Sequence, residues 1–447
     1  MGKFTGEMTE TDDYVRRVVD TELDDLLPAL PAIALQGPKA VGKTATALRR
    51  VRRVVRLDVP GQRVVAEADP EVLLREGLPV LLDEWQYVPA VWDAVRRAVD
   101  GQLPAGSILL TGSAMPRQLP THSGAGRIVN VRMRPLALAE RGGELGRPTV
   151  SLAHLLTGER PAVAGTTDVS LRDYAHEVVQ SGFPGLRGLR GRALRAQLDG
   201  YLTHVVERDA PEYGGREWRT SALRNWMSVY AAATGTITSL EKLRDGASLA
   251  TVGAPEGISK PTATAYYEAL QRLWIVDPLP GWAPTRNALR RLSQAPRHHM
   301  ADPALAARLL GVDERALLEG RASPLHDATT WARKTPRLGA LLGQLFESLV
   351  TLSVRVYAQH AEARVGHLRL HGGAREIDLI VERADHRVVA LEVKLSAAVD
   401  DDDVRHLVWL KEQLGDDLLD AIVVTTGPTA YRRPDGIAVV PAALLGP

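Results

Sequence analysis

Gly37-Pro38-Lys39-Ala40-Val41-Gly42-Lys43-Thr44 is the stretch on which the fold turns. It satisfies G-x-x-x-x-G-K-[ST], follows the apolar run Ala32–Leu35 and opens the amphipathic stretch Lys43–Arg53. Glycines let main-chain N–H groups curl around an anion, and a helix start beside them favours negative charge. In such a loop Lys43 reaches the β- and γ-phosphates of a nucleotide, while the Thr44 hydroxyl ligates Mg²⁺. Lysine is scarce here: 8 residues, against 47 arginines. A compact ammonium is therefore conspicuous where it occurs, since arginine does not replace it at every site. Lys43 and Lys394 sit in the two best motifs of the chain.

Outward from the loop, residues 31–135 alternate short apolar runs with amphipathic stretches. Val54–Leu57, Val80–Leu82, Ile108–Leu110 and Ile128–Val131 join Ala32–Leu35 as expected strands of a parallel α/β sheet. Helices are expected at Lys43–Arg53, Glu71–Arg75 and Val91–Val99, and Leu136–Thr167 reads as a connector. The run from Val80 ends in Asp83-Glu84. Asp83 fits a magnesium partner, and Glu84 fits the base that polarises an attacking water. Ile108-Leu109-Leu110 ends in Thr111-Gly112-Ser113, where Ser113 either faces the γ-phosphate or caps a turn. Arg127 is the favoured charge-stabilising finger, in cis or across a subunit boundary, with Arg117 its competitor.

These elements together resemble a known family. Gly-Pro-x-x-x-Gly-Lys-Thr, the Asp83, Glu84, Gln86, Pro89 series, Leu-Leu-Thr-Gly-Ser, and Gly126, Arg127, Arg134, Pro135, Leu136, Glu140 are similar to predicted archaeal-type AAA+ ATPases fused to a C-terminal domain of unknown function. Lys39 and Ala40 depart from the usual family loop. The resemblance implies Mg-ATP as cofactor, held along Gly37, Pro38, Lys39, Ala40, Val41, Gly42, Lys43 and Thr44, with Asp83 and Ser113 nearby. It also implies self-association, since related ATPases lend an arginine from one subunit to another.

The middle reads as helical: Leu171–Gln180, Arg192–Arg208, Ser221–Thr234 and Thr262–Leu273. Residues 171–300 carry 17 basic and 12 acidic side chains. A helix led by Ser259, Lys260, Thr262 and Thr264, then Trp274–Pro280, resembles a winged helix. The clusters Arg187/Arg190/Arg192/Arg195 and Arg286/Arg290/Arg291/Arg297 suit phosphate-backbone contacts. Nucleic acid, DNA first, is the expected partner. His298 and His299 lack ligand-spaced companions, and Trp218 and Trp226 read as core.

The last part begins with a helix at Gly343–Arg355. Strands are expected at His367–Leu370, Ile377–Val381 and Val388–Val393, then a helix at Asp402–Leu414 and a final strand Ala421–Thr425. Glu392 and Lys394 share a strand face, and Asp378 and Glu347 can approach them. Three carboxylates and a lysine suit a hard cation, with Asp378 and Glu392 as metal ligands. The arrangement resembles the PD-(D/E)XK nuclease fold, which implies a catalytic set of Glu347, Asp378, Glu392 and Lys394. An edge strand turning Glu392 and Lys394 to solvent would give the same pattern. The Asp400–Asp403 run reads as a helix cap.

The remaining composition excludes more than it selects. The chain has 447 residues, 45% hydrophobic and 24% charged, the balance of a folded globular protein with two to four domains. Zero cysteines remove disulfides, thiolate metal sites and a cysteine nucleophile. Net charge is +1, so no global field selects a partner. No apolar run approaches a membrane span and no secretory signal is visible, so a cytoplasmic location and no membrane partner are expected. The expected parts are an ATPase core at 1–160, a helical winged-helix-like part at 168–335 and a nuclease-like α/β part at 336–447. The function expected is ATP hydrolysis coupled to action on nucleic acid; the alternative is a nucleotide-driven switch or assembly factor with a silent tail.

Overall fold

Val80-Leu81-Leu82 and Ile108-Leu109-Leu110 are buried on both faces, and their alternate side chains feed two different cores. Ile33, Leu35, Leu81 and Leu109 face one core, while Ala32, Ala34, Val80, Leu82, Ile108 and Leu110 face another. That is what a central parallel sheet demands of its strands. The computed structural model describes residues 14–75, 77–114, 124–214, 218–249, 257–284, 294–320, 338–370 and 373–447. Arg117, Arg286, Arg290 and Arg291 lie outside the described residues.

The first sheet is made of β1 (Ala32–Gln36), β2 (Arg53–Arg56), β3 (Val80–Asp83), β4 (Ile108–Gly112) and β5 (Val129–Arg132), in the order β2-β3-β4-β1-β5. All of its pairings are parallel. Around it lie α1 (Val18–Leu26), α2 (Lys43–Leu48), α3 (Pro60–Ala68) and α4 (Ala90–Asp100). α2 is shorter than the sequence pattern suggests, because Arg53 already pairs with Val80 in the sheet. α3 was not expected: only Ala66 of it is buried, so it shows no apolar stripe to read.

The segment expected to be a connector is instead built into the interior. Leu136, Leu138, Leu145, Val150, Leu152 and Leu155 are buried. Its short strands β6 (Val150–Ser151) and β7 (Gly165–Thr166) pair with strands from the far end of the chain.

The middle contains α5 (Leu171–Gln180), α6 (Gly191–His204), α7 (Thr220–Ala232), α8 (Leu240–Leu249), α9 (Lys260–Arg272), α10 (Pro303–Leu309) and α11 (Glu314–Glu319). Val205–Asp209 extends α6 as a π-helical turn. Segments near 276–279 and 297–300 pair antiparallel at Val276/Met300 and Leu279/Arg297. β8 (Gly281–Trp282) then joins the last sheet.

The last part opens with α12 (Leu338–His360) and continues through β9 (Arg364–Arg369), β10 (Glu376–Glu382) and β11 (Val388–Val393). It closes with α13 (Asp401–Leu414), β12 (Leu418–Thr425), β13 (Thr429–Arg432), β14 (Ala438–Pro441) and β15 (Leu445–Gly446). β12 is therefore not the final strand. The eight-stranded sheet runs β7-β13-β14-β12-β11-β10-β9-β8. One apolar core extends from Val19 and Ile33 through Trp226 and Phe346 to Leu445, joining all three parts of the chain. Among the described residues no helix is long and apolar enough to cross a membrane.

Candidate functional site

The phosphate-loop segment sits at the carboxyl end of β1, between two glycines that no other residue replaces easily. A Cβ on Gly37 would lie 2.1 Å from the Met133 carbonyl oxygen, because Met133 N–H donates to Gln36 O at 2.7 Å and draws the chain after β5 against it. Gly42 has φ +103°, and Ala40 takes φ +63°, so the loop bends twice through the left-handed region. Lys43 folds back beneath it and donates to Gly37 O at 2.9 Å and Pro38 O at 2.8 Å. Burial pushes its ammonium down to about 8, against the charges of Glu84 and Asp83, which pull the other way.

Side chains from other elements brace the loop directly. Arg17 is buried; it donates to Val41 O at 3.0 Å, to Arg134 O at 2.7 Å and to Glu140 Oε1 at 3.0 Å. Glu140 also accepts from Val18 N and Ala137 N, both at 2.7 Å. Lys39 reaches out to Asp209 Oδ1 at 2.7 Å, which docks the π-helical turn on the loop.

The acidic pair is split by its backbone. Asp83, at the tip of β3, accepts from Thr44 Oγ1 at 2.8 Å and from Thr111 Oγ1. Two hydroxyls and a carboxylate converge there, an oxygen set that fits Mg²⁺ and that Thr44 and Asp83 could hold. Glu84 is left-handed (φ +56°) and turns away from Asp83. Its Oε2 accepts from Ser113 Oγ at 2.7 Å and from Gln86, which also donates to Ser113 at 3.1 Å. Ser113 thus holds Glu84 in place.

Arg127 stands apart. In the parallel register Val129 pairs with Ile33 and Arg132 with Gln36, so the start of β5 is at the amino end of the strands, opposite the end that carries the phosphate loop. Arg127 pairs there with Asp100 Oδ1 at 2.8 Å. A finger role within the same chain is ruled out by that placement.

The tail residues do meet. Glu347 on α12, Asp378 on β10 and Glu392 on β11 gather at one point, with Lys394 Nζ 4.0 Å from Glu392 and 3.6 Å from Asp403. Asp378 Oδ2 accepts from Val393 N at 2.9 Å. Burial first, then the charge of Asp378, drives both Glu347 and Glu392 above the usual carboxylate range. Arg297 enters this cluster, contrary to its reading as a phosphate contact: it is 1% exposed and bonded to Glu347, Glu376 and Asp378. The residues present do not fit a metal ion, and among the described residues no group of three potential ligands has metal-holding geometry. Arg187 is also occupied, bonded to Glu177 at 2.7 and 2.9 Å. His298 and His299 are buried, bonded to Thr238 O at 2.6 Å and Ser348 Oγ at 3.2 Å.

Sequence reasoning missed Arg17, the Lys39–Asp209 contact and Asp277. Asp277 receives Arg134 at 2.9 Å, Arg355 at 3.0 Å and Arg132 at 3.9 Å. The only available signal was local, a lone Asp before Pro in an apolar run.

This loop, its acidic strand and the sheet order define the amino-terminal part as a P-loop domain of the ATPase class. Residues 30–141 match the AAA domain family, residues 171–316 a domain of unknown function (DUF8612), and residues 342–445 another (DUF4143). The uncharacterized proteins Mb2031c of Mycobacterium bovis and Rv2008c of Mycobacterium tuberculosis are each 27% identical over 350 residues. Those matches cover 75% of this chain and 66% of either relative's length. Among solved structures, a match is to the Walker-type ATPase PABY2304 of Pyrococcus abyssi, with a TM-score of 0.39 at 17% identity, over 67% of this chain and 97% of that one.

Proposed function

We propose that this chain hydrolyses Mg-ATP and uses the turnover to change how its middle and tail engage a polyanionic partner, nucleic acid and DNA first. The observation that carries the ATPase reading is the convergence of Thr44 and Asp83 at 2.8 Å beside Lys43. Phosphate oxygens take the place of the Gly37 and Pro38 carbonyls as partners of Lys43. Thr44 and Asp83 would hold the magnesium, which would supply charge neutralisation. Glu84, fixed by Ser113 and Gln86, takes the proton of the attacking water.

What supports the partner is a cavity of about 540 Å³ between α5, α6, α10 and α11, with an apolar floor and Arg190 and Arg195 on its walls; the other wall arginines are paired, Arg308 with Asp199, Arg315 with Glu319 and Arg172 with Glu314. The exposed start of α9, with Ser259 and Lys260, adds to the winged-helix reading. Self-association belongs to the same proposal, with Arg127 serving a neighbouring copy. The test is ATP turnover with and without duplex DNA across a salt series. Stimulation that fades as salt rises supports the reading; turnover indifferent to DNA at low salt contradicts the partner, and no turnover at all contradicts the ATPase.

A second reading, a nucleotide-driven switch whose nuclease-like tail is catalytically silent, is favoured by one observation: the guanidinium of Arg297 among the tail carboxylates.

A further inference from the structure

Arg297 stands where a metal-dependent tail would keep its cation. Its Nη1 donates to Glu347 and to Asp378 Oδ1 at 2.9 Å, and its Nη2 donates to Glu376. Three elements meet there: α12 brings Glu347, β10 brings Glu376 and Asp378, and the strand-like segment opposite Leu279 brings the arginine. Glu376 is shared with a second guanidinium, Arg369, at 3.0 Å. A divalent ion held by Glu347 and Asp378 would need their oxygens at about 2.0–2.6 Å. Nη1 and its hydrogens fill that volume.

The arginine is fixed as firmly as the acids. Arg297 N donates to Leu279 O and Leu279 N to Arg297 O, both at 2.9 Å. The paired segment is tied down again two residues before Leu279, where Asp277 meets Arg355 of the same helix α12. The guanidinium is thus delivered by a hydrogen-bonded ladder. Inside a protein, a paired charge of this kind is retained because removing one partner leaves the others buried and uncompensated.

We propose that Arg297 is a resident cation: the chain's own guanidinium fills the cation position of the tail cluster, and the cluster takes up a divalent ion only once that guanidinium is removed. The second observation beside the acidic cluster is Glu392, 5% exposed, whose Oε1 has no hydrogen-bond partner. Its nearest basic neighbours stand off at more than hydrogen-bond distance, His406 Nδ1 3.8 Å from Oε1 and Lys394 Nζ 4.0 Å from Oε2, within a site that otherwise supplies its own positive charge. No nucleotide is needed to examine this, so failure of the ATPase reading would leave the outcome unaffected.

The experiment is Mn²⁺ uptake by the full chain, stripped with chelator and free of nucleotide, followed by electron paramagnetic resonance. The wild type is expected to retain no Mn²⁺ after dialysis. A Mn²⁺ retained by both the wild type and Thr44→Ala overturns the proposal, since the phosphate loop is then not its holder. Arg297→Met is expected to gain one Mn²⁺ per chain, lost again when Asp378→Asn is added. A folded Arg297→Met that gains none also overturns it. Should Arg297→Met fail to fold, Arg297→Gln, which leaves the carboxylates a neutral polar partner, carries the same titration with the same two outcomes.

Discussion

Thr44 Oγ1 donates to Asp83 Oδ1 at 2.8 Å, so the first turn of α2 and the end of β3 are joined side chain to side chain at the phosphate-loop segment. The residues are 39 positions apart, and the adjacency of β3 to β4, itself beside β1, brings them together. Asp83→Asn keeps the shape and removes the charge. ATP turnover in Mg²⁺ is expected to fall on the order of 10²–10³-fold, the usual loss when one preorganised charge-stabilising group is removed. Steady-state phosphate release checks this; turnover within twofold of the parent would contradict the assignment.

Glu84 calls for a different signature. Because it touches Ser113 and Gln86 and not the Thr44–Asp83 pair, Glu84→Gln is expected to bind ATP as tightly as the parent while turnover drops by roughly 10²–10⁴-fold, the range for a lost general base. Ser113→Ala should lose less, on the order of tenfold, since Gln86 still holds the carboxylate. Equilibrium binding of a fluorescent ATP analogue alongside turnover separates the two effects. A parallel loss of binding in Glu84→Gln would place Glu84 among the phosphate contacts instead.

The central strands β1, β3 and β4 were legible because they are buried on both faces and read as unbroken apolar runs; Lys43 and Thr44 open α2 after the first of them, and Asp83 ends the second. The brace was not. Arg17 and Glu140 are 123 positions apart, and nothing local in either marks a partner. Arg297 was misread because, in a chain this rich in arginine, composition makes every guanidinium look like a surface cation; only the pairing with Leu279 takes it inside. Arg127 was misplaced for a reason the sequence did contain. In a parallel sheet the residue before a strand lies at the strand end opposite the phosphate loop, so its finger role in cis was excluded by topology alone.

Lys43 predicts how nucleotide binding depends on pH. Burial lowers its pKa to about 8 in the free loop, and phosphates require the ammonium. Binding above that value must therefore draw a proton from solvent. At pH 8.5 the uptake is expected to be roughly three quarters of a proton per ATP, read by titration calorimetry in two buffers of different ionisation enthalpy. The same shift works on stability in one direction only. Between about pH 8 and the ordinary lysine value the unfolded chain holds more protons, so this residue's cost to folding shrinks as pH rises. Binding heats identical in both buffers at pH 8.5 would show that Lys43 is already fully charged.

Asp277 makes the strongest stability prediction. It is partly buried, its side chain 16% exposed, against Arg134 at 2.9 Å, Arg355 at 3.0 Å and Arg132 at 3.9 Å. Arg132 also lies over the Trp274 ring, 3.6 Å from its centroid. Burial alone would raise the carboxyl, yet the three guanidiniums hold it well below the usual carboxylate range. One aspartate thus compensates cations from the amino-terminal sheet and from α12. Asp277→Asn conserves volume but leaves those cations uncompensated, and a broken buried pair costs about 3–5 kcal/mol. The urea midpoint should fall accordingly with the slope unchanged. A depressed carboxyl stabilises the fold above its unfolded value of about 3.9, and that contribution drains away as pH falls below it. The parent should therefore lose stability steeply below pH 4, whereas Asp277→Asn, having no such contribution to lose, should show a shallower acid limb. Equal midpoints at pH 7, or parallel acid limbs, would mean that the three arginines find their compensation elsewhere.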